Sequence, residues 1–125
     1  MGIDIYARWK GQTEEEKNAQ YEAFSVVHGR FGYLREAYYG PPYATMFLCQ
    51  EAFATLGGQA DIPAAVLRER LPQTILLVRE REREIYGVTD EKQIAEVIQS
   101  FSDFVSLCER KEAESGRPVR ISASY

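Results

Sequence analysis

The sequence predicts one α+β domain over residues 1–125: a small antiparallel or mixed sheet that includes both terminal strands, covered on one side by three to four helices. Three observations carry that reading. Residues 3–9, IDIYARW, alternate apolar and polar, and residues 119–125, VRISASY, do the same. Between them, 64–71, 73–86 and a stretch from about 90 to 115 space their apolar residues for helices. With 45% apolar and 27% charged residues, the chain has ordinary globular usage and can bury a core without disulfide staples.

The elements follow in order. Ile3, Ile5, Ala7 and Trp9 form the apolar side of the first strand, and Lys10-Gly11-Gln12 ends it. Thr13 and Glu16 have capping-box spacing, and three glutamates in the next turn suit a helix amino terminus, so a helix runs to about residue 21–24. Residues 25–28 read as a short strand or an extended link. Leu34, Ala37 and Tyr38 predict a short helix over 33–39, stopped by Gly40 and Pro41-Pro42, with Tyr33, Glu36 and Tyr39 outward and Arg35 at the flank. Residues 43–49 are β-prone by composition. Leu56-Gly57-Gly58-Gln59 is a loop, and Asp61 is placed to cap a helix with Pro63 in its first turn. Pro72 either kinks that helix or begins the next, which ends at Gly87. Ile94, Val97, Ile98, Phe101, Phe104, Val105 and Cys108 stripe the last helix, and Gly116 stops it. The terminal strands are expected to pair, with Asp4 and Arg8 against Arg120 on the polar side.

Composition excludes several functions. A formal charge of −4 argues against general nucleic-acid binding, which needs dense Lys and Arg, but leaves room for a local basic pocket if Arg8, Arg30 and Arg35 converge. The run Arg79 to Glu84 alternates charge; on a helix its i,i+3 pairs attract and its i,i+4 pairs repel, which reads as a solvated face or a wet subunit interface. The longest apolar run, Ile75 to Val78, is far short of a membrane span. The opening residues lack the basic-then-apolar pattern of a signal peptide, and Tyr6 stands where a myristoylation motif needs Ser or Thr. A cytoplasmic protein with no membrane partner is expected, its Cys49 and Cys108 buried and free.

No catalytic signature is present. Phosphate-loop, dinucleotide, zinc-protease and calcium-loop motifs are all missing, and one histidine with two separated cysteines offers no zinc spacing. Nothing local supports Cys49 with His28 as nucleophile and base, and Gly29-Arg-Phe-Gly32 is too short a match to a nucleotide-clamping loop. No catalytic residue, metal ligand or cofactor is assigned, and the protein is expected to bind rather than catalyse.

The candidate ligand-binding residues are His28, Arg30, Tyr33, Arg35, Tyr38, Tyr39 and Tyr43, all in HGRFGYLREAYYGPPY. Tyrosine rings stack, and arginine pairs with phosphate or carboxylate. Tyr38, Tyr39 or Tyr43 would stack on a ring, Arg35 or Arg30 would hold an anion, and His28 would hydrogen-bond. That combination suits a nucleotide-like small molecule, with a subunit interface of a homo-oligomer as one place for it, or alternatively a protein partner docked on a Tyr/Arg surface. The same residues also suit a small aromatic core.

The segments GIDIYARWKGQT, GYLREAYYGPPYAT and RISASY resemble an uncharacterised family of small bacterial and bacteriophage proteins. The resemblance spans most of the chain and carries no activity or residue role. A phage origin would imply one further possibility, sequestration of host defence components or nucleotide signals in the host cytoplasm.

Overall fold

The computed structural model describes residues 2–21, 26–38, 40–84 and 87–125, with the backbone alone at 26–28. Four strands, β1 (Gly2–Arg8), β2 (Tyr33–Ala37), β3 (Gln59–Ile62) and β4 (Val119–Ser124), form one sheet in the order β2-β1-β4-β3. Every neighbouring pair is antiparallel. The two terminal strands pair at the centre of the sheet, Ile5 opposite Ala123 and Arg8 opposite Arg120. The charges line up otherwise than by simple pairing: Arg8 faces Arg120, Asp4 faces Ser124, and the acid beside Arg120 is Asp61 of β3.

The period of two along β1 separates the faces. Ile3, Ile5 and Ala7 are buried with Leu34, Ile62, Val119 and Ile121. Two long helices, α4 (Ala64–Glu84) and α5 (Glu91–Ser115), cover this side. α4 buries Leu67, Leu71, Thr74, Val78 and Arg81, a stripe stepping alternately by four and three residues. α5 adds Ile94, Val97, Phe101, Phe104, Val105 and Cys108. It starts where Asp90 accepts from the Lys92 amide at 2.9 Å. It ends at Gly116, whose φ of 73° is the left-handed cap that follows a helix. Among the described residues no helix is long and apolar enough to cross a membrane.

The capping box of α1 (Glu14–Tyr21) forms as read: the Glu16 amide donates to Thr13 Oγ1 at 3.1 Å and the Thr13 amide to Glu16 Oε1 at 2.9 Å. Elsewhere tertiary contacts override local preference. Residues 33–37 are the strand β2, because Leu34 and Glu36 turn inward while Arg35 turns out to pair with β1 opposite Asp4. Tyr39 lies outside the described residues. Residues 44–48 are helical: α2 (Ala44–Leu48) is capped from a distance by Glu36, which accepts from the Ala44 and Thr45 amides at 3.0 Å each. A second short helix, α3 (Gln50–Ala54), leads to β3. Asp61 belongs to β3 and caps nothing; Arg120 holds it instead. Pro72 neither starts nor ends a helix: α4 runs through it, with the exposed ring facing solvent. Val26–Phe31 is a 3-10 helix, neither strand nor link. The alternating Arg79 to Glu84 run is no uniform solvated face, since Arg81 is 3% exposed.

Candidate functional site at the Trp9 corner

The tyrosine-rich segment is divided by the strand it forms. On the polar face, Tyr33 donates its hydroxyl to Asp4 Oδ1 at 2.6 Å and Arg35 donates to the same oxygen at 2.7 Å. The Tyr33 ring is 5% exposed and lies 5.2 Å from the Tyr6 ring. Burial first, and the bond to Asp4 second, push the Tyr33 phenol up to about 12.

On the opposite face, Glu36 meets Arg81 at 2.8 Å, and Arg81 donates to the carbonyls of Gly40 and Pro42 at 2.5 Å each. The Arg81 guanidinium stands 4.7 Å over the Tyr43 ring, and Tyr43 accepts from the Gly40 amide. Tyr38 packs edge-on against Tyr43 and is partly exposed. This cluster clamps the turn through the cis Pro41–Pro42 peptide onto α4. Tyr43 is thereby part of a structural clamp. The His28 side chain and Tyr39 lie outside the described ones.

Arg30 goes elsewhere. Its guanidinium lies 4.9 Å from the Phe31 ring, in a pocket of about 190 Å³ that Phe31 shares with Trp9, Ala19, Leu107 and the acidic side chains of Glu15 and Glu16 at its rim. Trp9 is the wall of this pocket, and also of a second groove of about 300 Å³. The second groove lies where β1 ends, β4 begins and β3 runs alongside; its charged lining is Arg8, Lys10, Arg117 and Arg120 against the single carboxylate of Asp61.

Each side chain has a local reason for its place. Period two along β1 sends Arg8 to the polar face and Trp9 to the helix side. Gln20, fully buried on α1, donates to the carbonyls of Ala7 and Phe31 at 2.9 and 2.8 Å, and its amide oxygen accepts from Arg8. Arg8 also donates to the Tyr21 hydroxyl at 2.8 Å and lies over the rings of Tyr6 and Tyr21. Across the groove, Arg120 donates to Asp61 at 2.9 Å and holds its carboxyl below the usual carboxylate range. On the far side of Trp9, the Lys111 ammonium stands 5.2 Å from the indole ring and pairs with Glu114 and Glu16. Lys10 and Arg117 make no ion pair or side-chain hydrogen bond within contact distance among the described residues; both line the groove, where the Asp61 carboxylate that Arg120 holds also feels the charge of Arg117.

The carboxyl end of α5, at Ser115, points about half a negative charge toward this corner. Four cations outweigh it. Chemically, the corner offers an indole and a phenyl ring on one side and an excess of cationic donors on the other. Sequence reading missed Trp9, Lys10, Arg117 and Arg120. The signal was present, because pairing the two terminal strands antiparallel sets the end of the first beside the start of the last.

Other reactive groups sit apart from this corner. Cys49 and Cys108 are fully buried, and burial pushes the Cys108 thiol up to about 12 and that of Cys49 well above its ordinary value. Among the described residues no group of three His, Cys, Asp or Glu side chains could hold a metal ion.

The fold and this corner define a small α+β protein with a cationic groove and an aromatic pocket at one end of its sheet. Comparison with protein-family models, curated proteins and solved structures gives no match, so the likeness of the opening, central and closing segments assigns no residue a role.

Proposed function

We propose that this protein is a non-catalytic binding protein that captures a small, anionic, ring-containing ligand of the nucleotide type at the Trp9 corner. The observation that carries the reading is the gathering of Arg8, Lys10, Arg117 and Arg120 around one groove in a chain of net charge −4. Such a concentration repels itself in the free protein and is relieved by an anion. The second support is Trp9, which walls both this groove and the Phe31 pocket, so that a ring and an anionic group on one molecule would be held on either side of it. Arg30 serves the ring side of the site. Arg35, paired with Asp4 on the polar face, is not needed for capture.

Thermal unfolding with and without ADP tests the reading. A ligand at a hundred times its dissociation constant adds about 2.7 kcal/mol, a shift of several degrees for a domain of this size. The shift is expected with wild type and absent from Lys10→Glu/Arg117→Glu, whose changes fall on exposed side chains. An equal shift in both proteins would place the ligand elsewhere.

A protein-partner role, including contact between copies of this chain, is favoured by Met46 and Leu76, exposed at 40% and 58% on the contacting helices α2 and α4. Sedimentation of Leu76→Glu beside wild type separates this surface from the Trp9 corner. A complex present in wild type and lost in the variant supports it, and two identical profiles contradict it.

A further inference from the structure

We infer that two copies of this chain associate through α4, packed antiparallel about a two-fold axis at Leu76. The inference rests on the protein-partner reading above, names the occupant as a second copy and fixes its orientation.

α4 buries one stripe and leaves another open: Glu69, Pro72, Leu76, Glu80 and Arg83 are all exposed and recur by three or four residues. The centre of this stripe is apolar. The Pro72 ring lies one turn before Leu76, and Met46 is exposed on the contacting helix α2. Its ends carry opposite charges. Glu69 stands seven residues before Leu76 and Arg83 seven residues after it, about two turns in each direction, which keeps all three on one side of the helix.

A two-fold axis at Leu76 sets each residue before it opposite the residue equally far after it in the other copy. Leu76 then meets Leu76, Pro72 meets Glu80, and Glu69 of each chain meets Arg83 of the other. Both end contacts attract, and no like charges stand directly opposite each other along the stripe. Parallel packing in register would instead set Glu69 on Glu69, Glu80 on Glu80 and Arg83 on Arg83, three repulsions that disfavour it. Both end charges can take a further partner. Glu69 makes no ion pair within contact distance among the described residues, and Arg70, which feels its charge, is held at both terminal nitrogens by Glu51. Arg83 shares the single carboxylate of Glu91 with Arg79 and keeps further donors on its guanidinium. The alternating run from Arg79 to Glu84 thereby divides its duties: Arg81 turns inward to Glu36, while Glu80 and Arg83 face the second copy.

Sedimentation equilibrium over a concentration series tests the inference, with thermal unfolding to show that each variant stays folded. Wild type is expected to dimerise. Glu69→Arg should weaken the dimer about tenfold, because two exposed attractions become repulsions. Adding Arg83→Glu to that variant exchanges the two charges and should restore the dimer. Glu69→Arg and Arg83→Glu chains, each weak alone, should form a mixed dimer when combined. A dimer lost in Leu76→Glu but unchanged by Glu69→Arg, or not restored by the exchange, would overturn the antiparallel register and leave the α2 and α4 surface standing. A monomeric wild type, or a dimer unchanged in Leu76→Glu, would overturn both.

Discussion

Arg81 and Glu36 are buried charges whose partners are all within the protein. Glu36 forms an ion pair with Arg81 and accepts from two amides of α2 and from the Thr45 hydroxyl at 2.6 Å, while Arg81 donates to two carbonyls of the 40–42 turn. Removing one partner strands the other charge away from water. Arg81→Ala is therefore expected to cost about 3–5 kcal/mol in urea unfolding, and the double change Arg81→Met/Glu36→Leu less than the sum of the singles. Alkaline pH probes other buried groups. Tyr33 is raised from 10.0 to about 12 and Cys108 from 9.0 to about 12, in both cases chiefly by burial. The folded protein holds these protons more tightly than the unfolded chain, so their contribution is intact below pH 9 and falls as pH rises toward 12. Urea midpoints measured across that window should decline, and Tyr33→Phe should make the limb above pH 10 shallower. A flat profile would contradict the burial of these groups.

Among the elements, the 3-10 helix is seated most tightly. A Cβ placed on Gly29 would stand 1.7 Å from the Ser100 carbonyl oxygen, an atom fixed in the backbone of α5. Gly29→Ala must separate the 3-10 helix from α5, and a loss at the upper end of the roughly 1–3 kcal/mol typical of overpacking is expected in denaturant unfolding. Gly32 is constrained twice, by a φ of 85° and by Gln20, Ala7 and Leu107 around its missing side chain. These two glycines explain why GRFG reads as a loop motif and behaves as a packing device. The terminal strands and α5 were legible because their periodicity is local and strong. β2 and α2 were not, because each depends on a distant partner: Arg35 needs Asp4, and Ala44 and Thr45 need Glu36. Arg81 could have been found by extending the buried stripe 67, 71, 74, 78 one step further, since charge alone suggested solvent.

At the scale of the whole molecule, antiparallel pairing of the first and last strands joins residues from opposite ends of the chain into one cationic corner. Of the seven residues chosen from the tyrosine-rich segment, the five whose side chains are described lie apart: Tyr33 and Arg35 on one face of β2, the Tyr38 and Tyr43 rings in the clamp around Arg81, and Arg30 in the pocket walled by Trp9. Composition concealed the groove, because four cations vanish in a net charge of −4. Binding there should weaken as salt rises, since Lys10 and Arg117 are exposed to screening over about 10 Å at 0.1 M. Trp9 is the only tryptophan in the chain, and it walls both halves of the site, so its fluorescence reports on that corner alone. Titrating ADP while following Trp9 emission is the most direct measurement. The account predicts a saturable change in wild type that is lost in Lys10→Glu/Arg117→Glu. A saturable change unaltered in that variant, or no change in a wild-type protein that binds ADP by calorimetry, would contradict it.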